Sequence, residues 1–279
     1  MDFSEFSPRN HIVNDGVYIP SDLNSFPADP ETFLVNSEET KKIVFDENYP
    51  YLDHSFKSRL NTFLIYSGAF LVAFAANKIR YGLKIKGRSN IRRNRKLFRN
   101  GAITVSNHVY RWDFLAILDA CRYRRMWVPV RAQHLMGKDA NLIRGIGGIP
   151  LADTMGGKKK FNQAFDLLNK KKKWIHLFPE SSRWDFYEPI RPFKSGAFAF
   201  AYRWNVPVIP MVFSYRKPTG IYRLFKTKHP LVTLTIGEPI MPDTSLPRKE
   251  ACAAMRNQCH KVMTQMAGIT QNMWPATLE

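Results

Sequence analysis

The feature that most constrains the fold is an alternation of short apolar runs and helical patterns from residue 80 to the end of the chain. Short apolar runs bounded by turn residues are typical of strands, and apolar residues spaced three or four apart indicate helices. Strands are predicted at 81–86, 102–106, 126–130, 149–151, 174–178, 206–213 and 231–236. Helices are predicted at 112–122, 158–169, 195–204 and 250–266, and a basic helix or loop within 87–101. This alternation predicts an α/β fold with a mixed, mostly parallel sheet flanked by helices.

The charge of the chain is distributed unevenly. Residues 1–56 contain eleven acidic and three basic residues, a net charge of −8, whereas the remainder carries +27 and the whole chain +19. The first 56 residues lack long periodic patterns, so an acidic, loosely structured N-terminal segment is predicted. It is either a largely disordered tail or a wrap over the basic body, which opposite charge would hold. The basic body favours an anionic partner: nucleic acid, an anionic membrane surface or a phosphorylated substrate.

Composition excludes several other classes. A hydrophobic content of 44% is enough for a full core and excludes a wholly disordered chain. Three cysteines are too few for a disulfide scaffold, their spacing fits no common zinc motif, and they suggest a reducing compartment. The acidic, polar N-terminus does not have the pattern of a secretory signal.

A 15-residue apolar run at 62–76 lies inside a predicted helix at 57–80. At about 1.5 Å per residue this run covers about 22 Å, less than the roughly 30 Å hydrocarbon core of a bilayer. Basic residues flank the run, and a dense basic stretch follows at 84–99. Such residues are attracted to an anionic cytoplasmic leaflet. We therefore expect an N-terminal apolar membrane-associating helix, embedded or interfacial, at the cytoplasmic face; a plain core helix is the alternative.

One polar stretch, 106–113, follows the strand predicted at 102–106. In open α/β sheets, the site lies where the carboxyl ends of strands meet their loops. His108 and Asp113 can meet there only if His108 lies in the turn and Asp113 in the first turn of the next helix. A carboxylate on one imidazole nitrogen fixes the tautomer and leaves the other nitrogen free to take a proton. The pair therefore suggests a general base acting on a hydroxyl, the alternative being a capping aspartate beside an incidental histidine.

A second polar stretch follows the strand predicted at 174–178 and contains Glu180, Ser181, Ser182 and Arg183. The guanidinium of Arg183 suits bidentate recognition of a phosphate. The two hydroxyls and the loop backbone can add hydrogen bonds. Alone, the stretch favours an ordinary polar loop.

Together and in this order, the two stretches resemble the glycerolipid acyltransferase family, the 1-acylglycerol-3-phosphate acyltransferases and related lysophospholipid acyltransferases. His108-x4-Asp113 is followed about 70 residues later by Phe178-Pro-Glu-Ser-Ser-Arg183. Residues 147–153 are similar to the family's second block and 206–211 to its fourth, and the segment 191–197 is also similar. The resemblance extends over about residues 60–240 and implies an acyltransferase domain at 81–279.

The resemblance implies a role for each residue. His108 would deprotonate the acceptor hydroxyl, which attacks the thioester carbonyl of acyl-CoA or acyl carrier protein, while Asp113 would orient His108. The substrate-binding residues would be Glu180, Ser181, Ser182, Arg183 and Lys194, with Arg183 on the acceptor phosphate. No acyl-enzyme, metal or bound cofactor is implied. The partners are then a lysophospholipid acceptor, the thioester donor and an anionic membrane surface, with no nucleic acid.

The chain departs from the family pattern in two blocks. The third block usually has Gly-Thr where this chain has Ser181 and Ser182. The second usually ends Asp-Arg, whereas here Asp153 is followed by Thr154. The lysines at 158–160 could replace that positive charge or simply form a solvated helix start. The expected acceptor is 1-acylglycerol 3-phosphate, giving phosphatidic acid, with remodelling of a lysophospholipid that has a substituted head group as the alternative.

Three other functions fit the sequence less well. A basic nucleic-acid-binding protein would fit the charge, but the chain has no helix-turn-helix, zinc-finger or RNP signature. A serine hydrolase would need a G-x-S-x-G elbow, which is absent from the sequence. A non-catalytic membrane-binding member of the same fold would not need His108 and Asp113, which are both present.

Overall fold

A computed structural model describes residues 13–14, 25–35, 42–225 and 228–278 of the chain. A seven-stranded sheet forms its centre. With a separate two-stranded pair, the strands of the described residues are β1 Val13–Asn14, β2 Lys84–Lys86, β3 Ala102–Ser106, β4 Met126–Val130, β5 Gly148–Pro150, β6 Trp174–Leu177, β7 Val208–Arg216, β8 Leu231–Ile236 and β9 Ile269–Gln271. The order in the main sheet is β2-β8-β7-β3-β6-β4-β5, and β1 pairs separately with β9.

Strand direction confirms the predicted mixed, mostly parallel sheet. Strands β7, β3, β6, β4 and β5 are parallel neighbours. Only the β7–β8 pairing within this sheet is antiparallel, and β2 then runs parallel to β8. The carboxyl ends of β3, β6 and β4 therefore lie at one edge of the sheet, so the loops after them can build a common site.

Helices cover both faces of the sheet. The α-helices are α1 Phe56–Ala73, α2 Arg88–Arg93, α3 Asp113–Ala120, α4 Ala140–Gly145, α5 Met155–Lys170, α6 Gly196–Trp204, α7 Ile221–Leu224 and α8 Arg248–Ala267. Side chains of α5, α6 and α8, such as Phe165, Phe198 and Met255, belong to the core on one face. Side chains of α3, such as Phe114 and Leu118, belong to the core on the other. The helices predicted at 112–122, 158–169, 195–204 and 250–266 correspond to α3, α5, α6 and α8.

Helix α4 lies where the glycine-rich sequence predicted only a turn. Gly147, two residues past the end of α4, has a φ of 105°. A Cβ there would lie 2.1 Å from the carbonyl oxygen of Met126. A Cβ on Gly148 would lie 2.6 Å from Cγ2 of Ile143. These glycines allow α4 to turn directly into β5, so they serve the close packing of a helix against a strand as well as the turn.

Helix α1 continues into a π-helical segment, Phe74–Arg80. One side packs on α4, where a Cβ on Gly145 would lie 2.2 Å from Cδ1 of Ile65. Elsewhere Phe56, Phe63 and Leu71 are 80%, 68% and 70% exposed, so the helix is not buried on all sides. No helix in the described part of the chain is both long and apolar enough to cross a membrane.

Parts of the acidic N-terminal segment lie against the body. Phe45 is fully buried, and its backbone N–H donates to Oδ2 of Asp153 at 3.0 Å. The hydroxyl of Tyr51 donates to the carbonyl of Phe45 at 2.8 Å. The strand β1, which no pattern predicted, pairs with β9. Residues 1–12, 15–24 and 36–41 of the segment lie outside the described part.

Candidate active site

The predicted pairing of His108 and Asp113 is present in the structure. His108 lies in the turn after β3, and Asp113 is the first residue of α3. Nδ1 of His108 lies 2.6 Å from Oδ2 of Asp113. The same oxygen accepts the backbone N–H of Val109 at 3.0 Å. Because the carboxylate can only accept, Nδ1 carries the proton and the lone pair is on Nε2. Asp113 is 1% exposed in the first turn of a helix, where the peptide dipoles favour a carboxylate.

The loop that carries His108 is held on three sides. The side-chain amide of Asn107 exchanges two hydrogen bonds with the backbone of Phe213 in β7, at 2.8 and 3.1 Å. The carbonyl of His108 accepts the N–H of Trp184 at 3.1 Å. The ring of Phe178 stacks on the imidazole with centroids 4.0 Å apart. The imidazole is therefore oriented before any substrate arrives, as a general base requires.

Glu180 is buried beneath this loop. Its Oε2 accepts the backbone N–H of His108 at 3.2 Å and Nη2 of Arg191 at 3.1 Å. Its Oε1 accepts the backbone N–H of Arg191 at 2.9 Å. Glu180 was predicted to bind substrate, but it is only 4% exposed and its carboxylate is engaged by the protein. These contacts make it a residue that positions the His108 loop.

Arg191 organises the loop after β6. It is 1% exposed, and its Nη1 donates to Oγ of Ser182 at 2.7 Å and to the carbonyl of Pro30 at 3.0 Å. Its guanidinium also lies 4.4 Å from the ring centroid of Trp184. Oγ of Ser182 in turn donates to the carbonyl of Thr32 at 3.2 Å. Ser182, a second predicted substrate-binding residue, therefore contacts the N-terminal segment, and its hydroxyl is used within the protein.

The other three predicted binding residues lie in different places. Arg183 lines the same cleft as His108, and its Nε lies 2.8 Å from Oδ1 of Asp185. Ser181 is exposed, with a φ of 62° that makes the turn after β6. Lys194 is half-exposed, forms an ion pair with Glu31 and does not line the cleft. Of the predicted acceptor-binding residues, Arg183 is the one whose side chain lines the cleft beside His108.

The cleft next to His108 has a volume of about 670 Å³ and combines two kinds of lining. Polar groups cluster around His108, and apolar side chains from α1, α3, β4 and α4 form the rest. The polar residues are Arg111, Asp113, His134, Lys138, Asp139 and Arg183. The apolar residues include Ile65, Phe114, Val128, Leu142, Ile143 and Ile146. The cleft can therefore hold an anionic group and a long apolar group together.

Sequence reasoning missed several cleft residues. Arg111 belongs to the same polar stretch as His108, and its Nη2 lies 2.7 Å from Oδ2 of Asp139. Lys138 and His134 follow β4, and only their position after a strand signalled them. Burial, reinforced by the charge of Arg131, lowers the pKa of His134. A second histidine, His176, is fully buried beneath the site, and burial together with the charge of His108 lowers its pKa to about 3. His176 is therefore neutral at physiological pH.

Thr154 has a local role where the family pattern has arginine. It is the N-cap of α5, and its Oγ1 accepts the backbone N–H of Gly157 at 3.0 Å. The lysines at 158–160 that follow are exposed and do not line the cleft. Arg111 and Lys138 are the cations that accompany Arg183 in the cleft.

The described residues contain no group of three His, Cys, Asp or Glu side chains that could hold a metal ion.

The chain is similar to known acyltransferases in sequence and in fold. Residues 82–214 match the family model described as Acyltransferase. The human 1-acyl-sn-glycerol-3-phosphate acyltransferase beta is 26% identical over 169 residues, which cover 58% of this chain and 58% of the human protein. The crystal structure of PlsC from Thermotoga maritima, a 1-acyl-sn-glycerophosphate (LPA) acyltransferase, shares the fold. Its TM-score is 0.50 at 18% identity, covering 77% of this chain and 84% of that one. Residues 82–214 of the chain are therefore similar to the Acyltransferase family.

Proposed function

We propose that the protein is an O-acyltransferase that moves a fatty acyl group from an acyl thioester to the free hydroxyl of a lysophospholipid. The leading acceptor is 1-acylglycerol 3-phosphate, and the product is then phosphatidic acid. The observation that carries the proposal is the orientation of His108 by Asp113 at 2.6 Å, next to a cleft that is cationic beside His108 and apolar beyond it.

The reaction needs no covalent intermediate on the protein. Nε2 of His108 accepts the proton of the acceptor hydroxyl as the oxygen attacks the thioester carbonyl. A C–O bond forms, the C–S bond breaks, and the departing thiolate takes the proton back from the imidazolium. Asp113 stabilises the imidazolium through Nδ1 while the charge exists. General base catalysis of this kind contributes about 10²–10⁴-fold in rate.

The apolar part of the cleft supports binding of the acyl chain. Phe114 and Val128 are buried there, and Ile65 of α1 completes the wall. Each methylene removed from water gains about 0.8 kcal/mol, so a long chain contributes much of the binding energy of the donor. The donor itself is acyl-CoA or acyl carrier protein.

The cations of the cleft support an anionic acceptor. Arg183, Arg111 and Lys138 all line it, and a guanidinium can bind phosphate with two parallel hydrogen bonds. Arg183 and Arg111 are each already paired with an aspartate, Asp185 and Asp139. This pairing favours a second candidate, a lysophospholipid whose phosphate carries a cationic head group that the two aspartates could accept.

Helix α1 supports association with a membrane at its cytoplasmic face. Ile65 and Gly68 of α1 line the cleft, whereas Phe63 and Leu71 of the same helix are exposed. An apolar face pressed into the interface would place the cleft beside the lipid that supplies the acceptor. The basic residues at 78–99 would add attraction to anionic lipids.

The test is acyl transfer from labelled acyl-CoA and from acyl carrier protein to a panel of acceptors in detergent micelles. The panel contains 1-acylglycerol 3-phosphate, head-group-bearing lysophospholipids and glycerol 3-phosphate. We expect phosphatidic acid as the main product, and loss of turnover in His108→Ala with binding to vesicles unchanged. Transfer only to head-group-bearing lysophospholipids would select the second candidate. Absence of transfer to every acceptor, or turnover retained in His108→Ala, would refute the proposed mechanism.

Arg183→Ala separates acceptor binding from donor binding. It should raise KM for a phosphate-bearing acceptor far more than KM for the thioester, because the guanidinium meets the acceptor phosphate. Lys159→Ala is the matched control, since it removes one positive charge that does not line the cleft. An equal rise for both substrates would assign Arg183 to the donor or to the loop structure.

A further inference from the structure

A second cleft lies at the opposite edge of the sheet from His108. It has a volume of about 440 Å³ and lies between α2, the end of α3 and the start of β6. Trp174 at the start of β6 lines it, whereas Phe178, just past the end of β6, stacks on His108. Four steps along a strand cover about 13 Å. The cleft is therefore separate from the cleft that lies beside His108.

Five arginines line this second cleft. They are Arg88, Arg92, Arg95, Arg122 and Arg124. Arg88 is paired with Asp119 at 2.6 Å. The other four have no acidic partner within the part of the chain that the structure describes. Like charges brought together in one concavity repel each other, and an anion bound among them removes that repulsion.

Trp174 supplies an independent sign of a missing ligand. Its side chain is 2% exposed, and its indole Nε1–H has no hydrogen-bond partner among the described residues. A buried N–H without an acceptor is rare, because its lost hydration is not replaced. The guanidinium of Arg124 lies 4.6 Å from the centroid of the Trp174 ring. A cation therefore lies beside the indole whose N–H has no partner. An oxyanion in the cleft would accept from Arg124, and from the indole N–H once the side chains that cover that N–H move aside.

The size and lining of the cleft indicate what kind of anion fits. A water-sized species takes about 30 Å³, so the cleft holds more than an isolated ion. Ile91, Ala120 and Cys121 provide apolar lining for an organic group attached to the anion. Planar guanidinium groups match phosphate oxygens in pairs.

We propose that this cleft is a second binding site, distinct from the catalytic cleft, for a phosphate ester. The phosphate is held by the arginines in and just after α2, by those of the α3–β4 loop, and by the indole N–H of Trp174. The phosphate group can belong to an anionic lipid head group or to a soluble phosphate ester, and these two sources differ in the attached group alone. The site needs no chemistry at His108 and stands apart from the proposed acyl transfer.

The test uses isothermal titration calorimetry on the full chain in the Arg183→Ala background, which weakens phosphate binding beside His108. The probes are inorganic phosphate, water-soluble dioctanoyl phosphatidic acid, and dioctanoyl phosphatidylcholine as a neutral-headed reference. The main variant is Arg92→Gln with Arg95→Gln, because both side chains are exposed and neither forms an ion pair with a described residue. Lys158→Gln with Lys159→Gln removes the same charge from exposed positions of α5 and is the matched control.

We expect the arginine pair to lose at least tenfold in phosphate affinity and the lysine pair to lose less than twofold. Trp174→Phe, which keeps the ring and removes the donor, should lose several-fold. Dioctanoyl phosphatidic acid that binds at least tenfold more tightly than phosphate would identify a lipid head group; equal affinities would identify a soluble phosphate. Either result supports the site. Equal losses in the arginine and lysine pairs, or no loss in either, would overturn it.

Discussion

The loops after β3 and β6 both place charged residues beneath the same cleft, yet they use them differently. After β3, His108 and Asp113 form a pair in which Nε2 carries a free lone pair. After β6, Glu180 and Arg191 form a pair that is 2% and 1% exposed and is surrounded by further hydrogen bonds. The first pair can exchange a proton with a substrate, whereas the second holds the first in position. Motif residues that are close in space therefore need not share a chemical role.

The largest effect on turnover is expected from Asp113→Asn. An amide cannot stabilise the imidazolium and can present its N–H to Nδ1, which would favour the wrong tautomer. We expect kcat to fall by about 10²–10⁴-fold with KM for both substrates nearly unchanged. Steady-state kinetics checks this, with circular dichroism to show that the fold is retained. A rise in KM with kcat preserved would place Asp113 in substrate binding and abolish the contrast between the loops.

Arg191→Met tests the structural side of the comparison. It leaves Glu180 buried without its cation, and breaking a buried pair in this way costs about 3–5 kcal/mol. We expect the free energy of unfolding in urea to fall by that amount, and kcat to fall as the His108 loop loosens. Arg203→Met is the matched control, because Arg203 forms an exposed ion pair with Asp166. Unchanged stability in Arg191→Met would show that the buried pair does not hold the loop.

Glu188 lies in the same loop as Glu180 but lacks the hydrogen bonds and the arginine that compensate the burial of Glu180. It is 2% exposed, and neither carboxyl oxygen has a partner among the described residues. Burial raises the pKa of Glu188 from 4.5 to about 8. The folded state therefore retains this proton between pH 4.5 and 8 while the unfolded chain releases it, so stability is lost as pH rises through that window.

Glu188→Gln should remove this loss, because the amide has no proton to release. We expect the variant to match the wild type near pH 4.5 and to be more stable by about 4 kcal/mol at pH 8. Urea unfolding at several pH values checks the difference. Burial lowers the pKa values of His176 and His260, so these two residues add stability as pH rises. Both are present in the wild type and in the variant, so they do not affect the difference between the two. Parallel pH profiles for the two proteins would contradict the assignment to Glu188.

Much of the fold could be predicted because buried strands are continuous apolar runs. Strands β3, β4 and β8 have the predicted bounds, and β6 ends one residue earlier than predicted. The short elements could not be predicted, since packing rather than periodicity determines them. Strand β1 exists only through its pairing with β9, and α4 depends on the close approach of Ile143 to Gly148.

The residues of the candidate site likewise divide into those that local sequence could predict and those that it could not. His108 and Asp113 could be found because five residues of local chain determine whether they meet. The partner of Glu180 could not, since Arg191 lies eleven residues further on and reaches it only through the path of the loop. Likewise, nothing local to Lys194 indicates that its partner is Glu31, which is 163 residues away in the N-terminal segment.

Substitution of Lys194 is expected to have the smallest effect on turnover. It is also the sharpest check on which residues contact the substrate. Its ion pair with Glu31 is about half-exposed on both sides, and exposed pairs contribute about 0.2–1 kcal/mol. We expect Lys194→Ala to change kcat/KM for each substrate less than twofold, whereas Arg183→Ala raises KM for the acceptor strongly. The comparison is made in one acyl-transfer assay at constant ionic strength, with Glu31→Ala as the partner variant. If Lys194→Ala raised acceptor KM as much as Arg183→Ala while Glu31→Ala did not, Lys194 would bind the acceptor directly, and the N-terminal segment would have to move aside during catalysis.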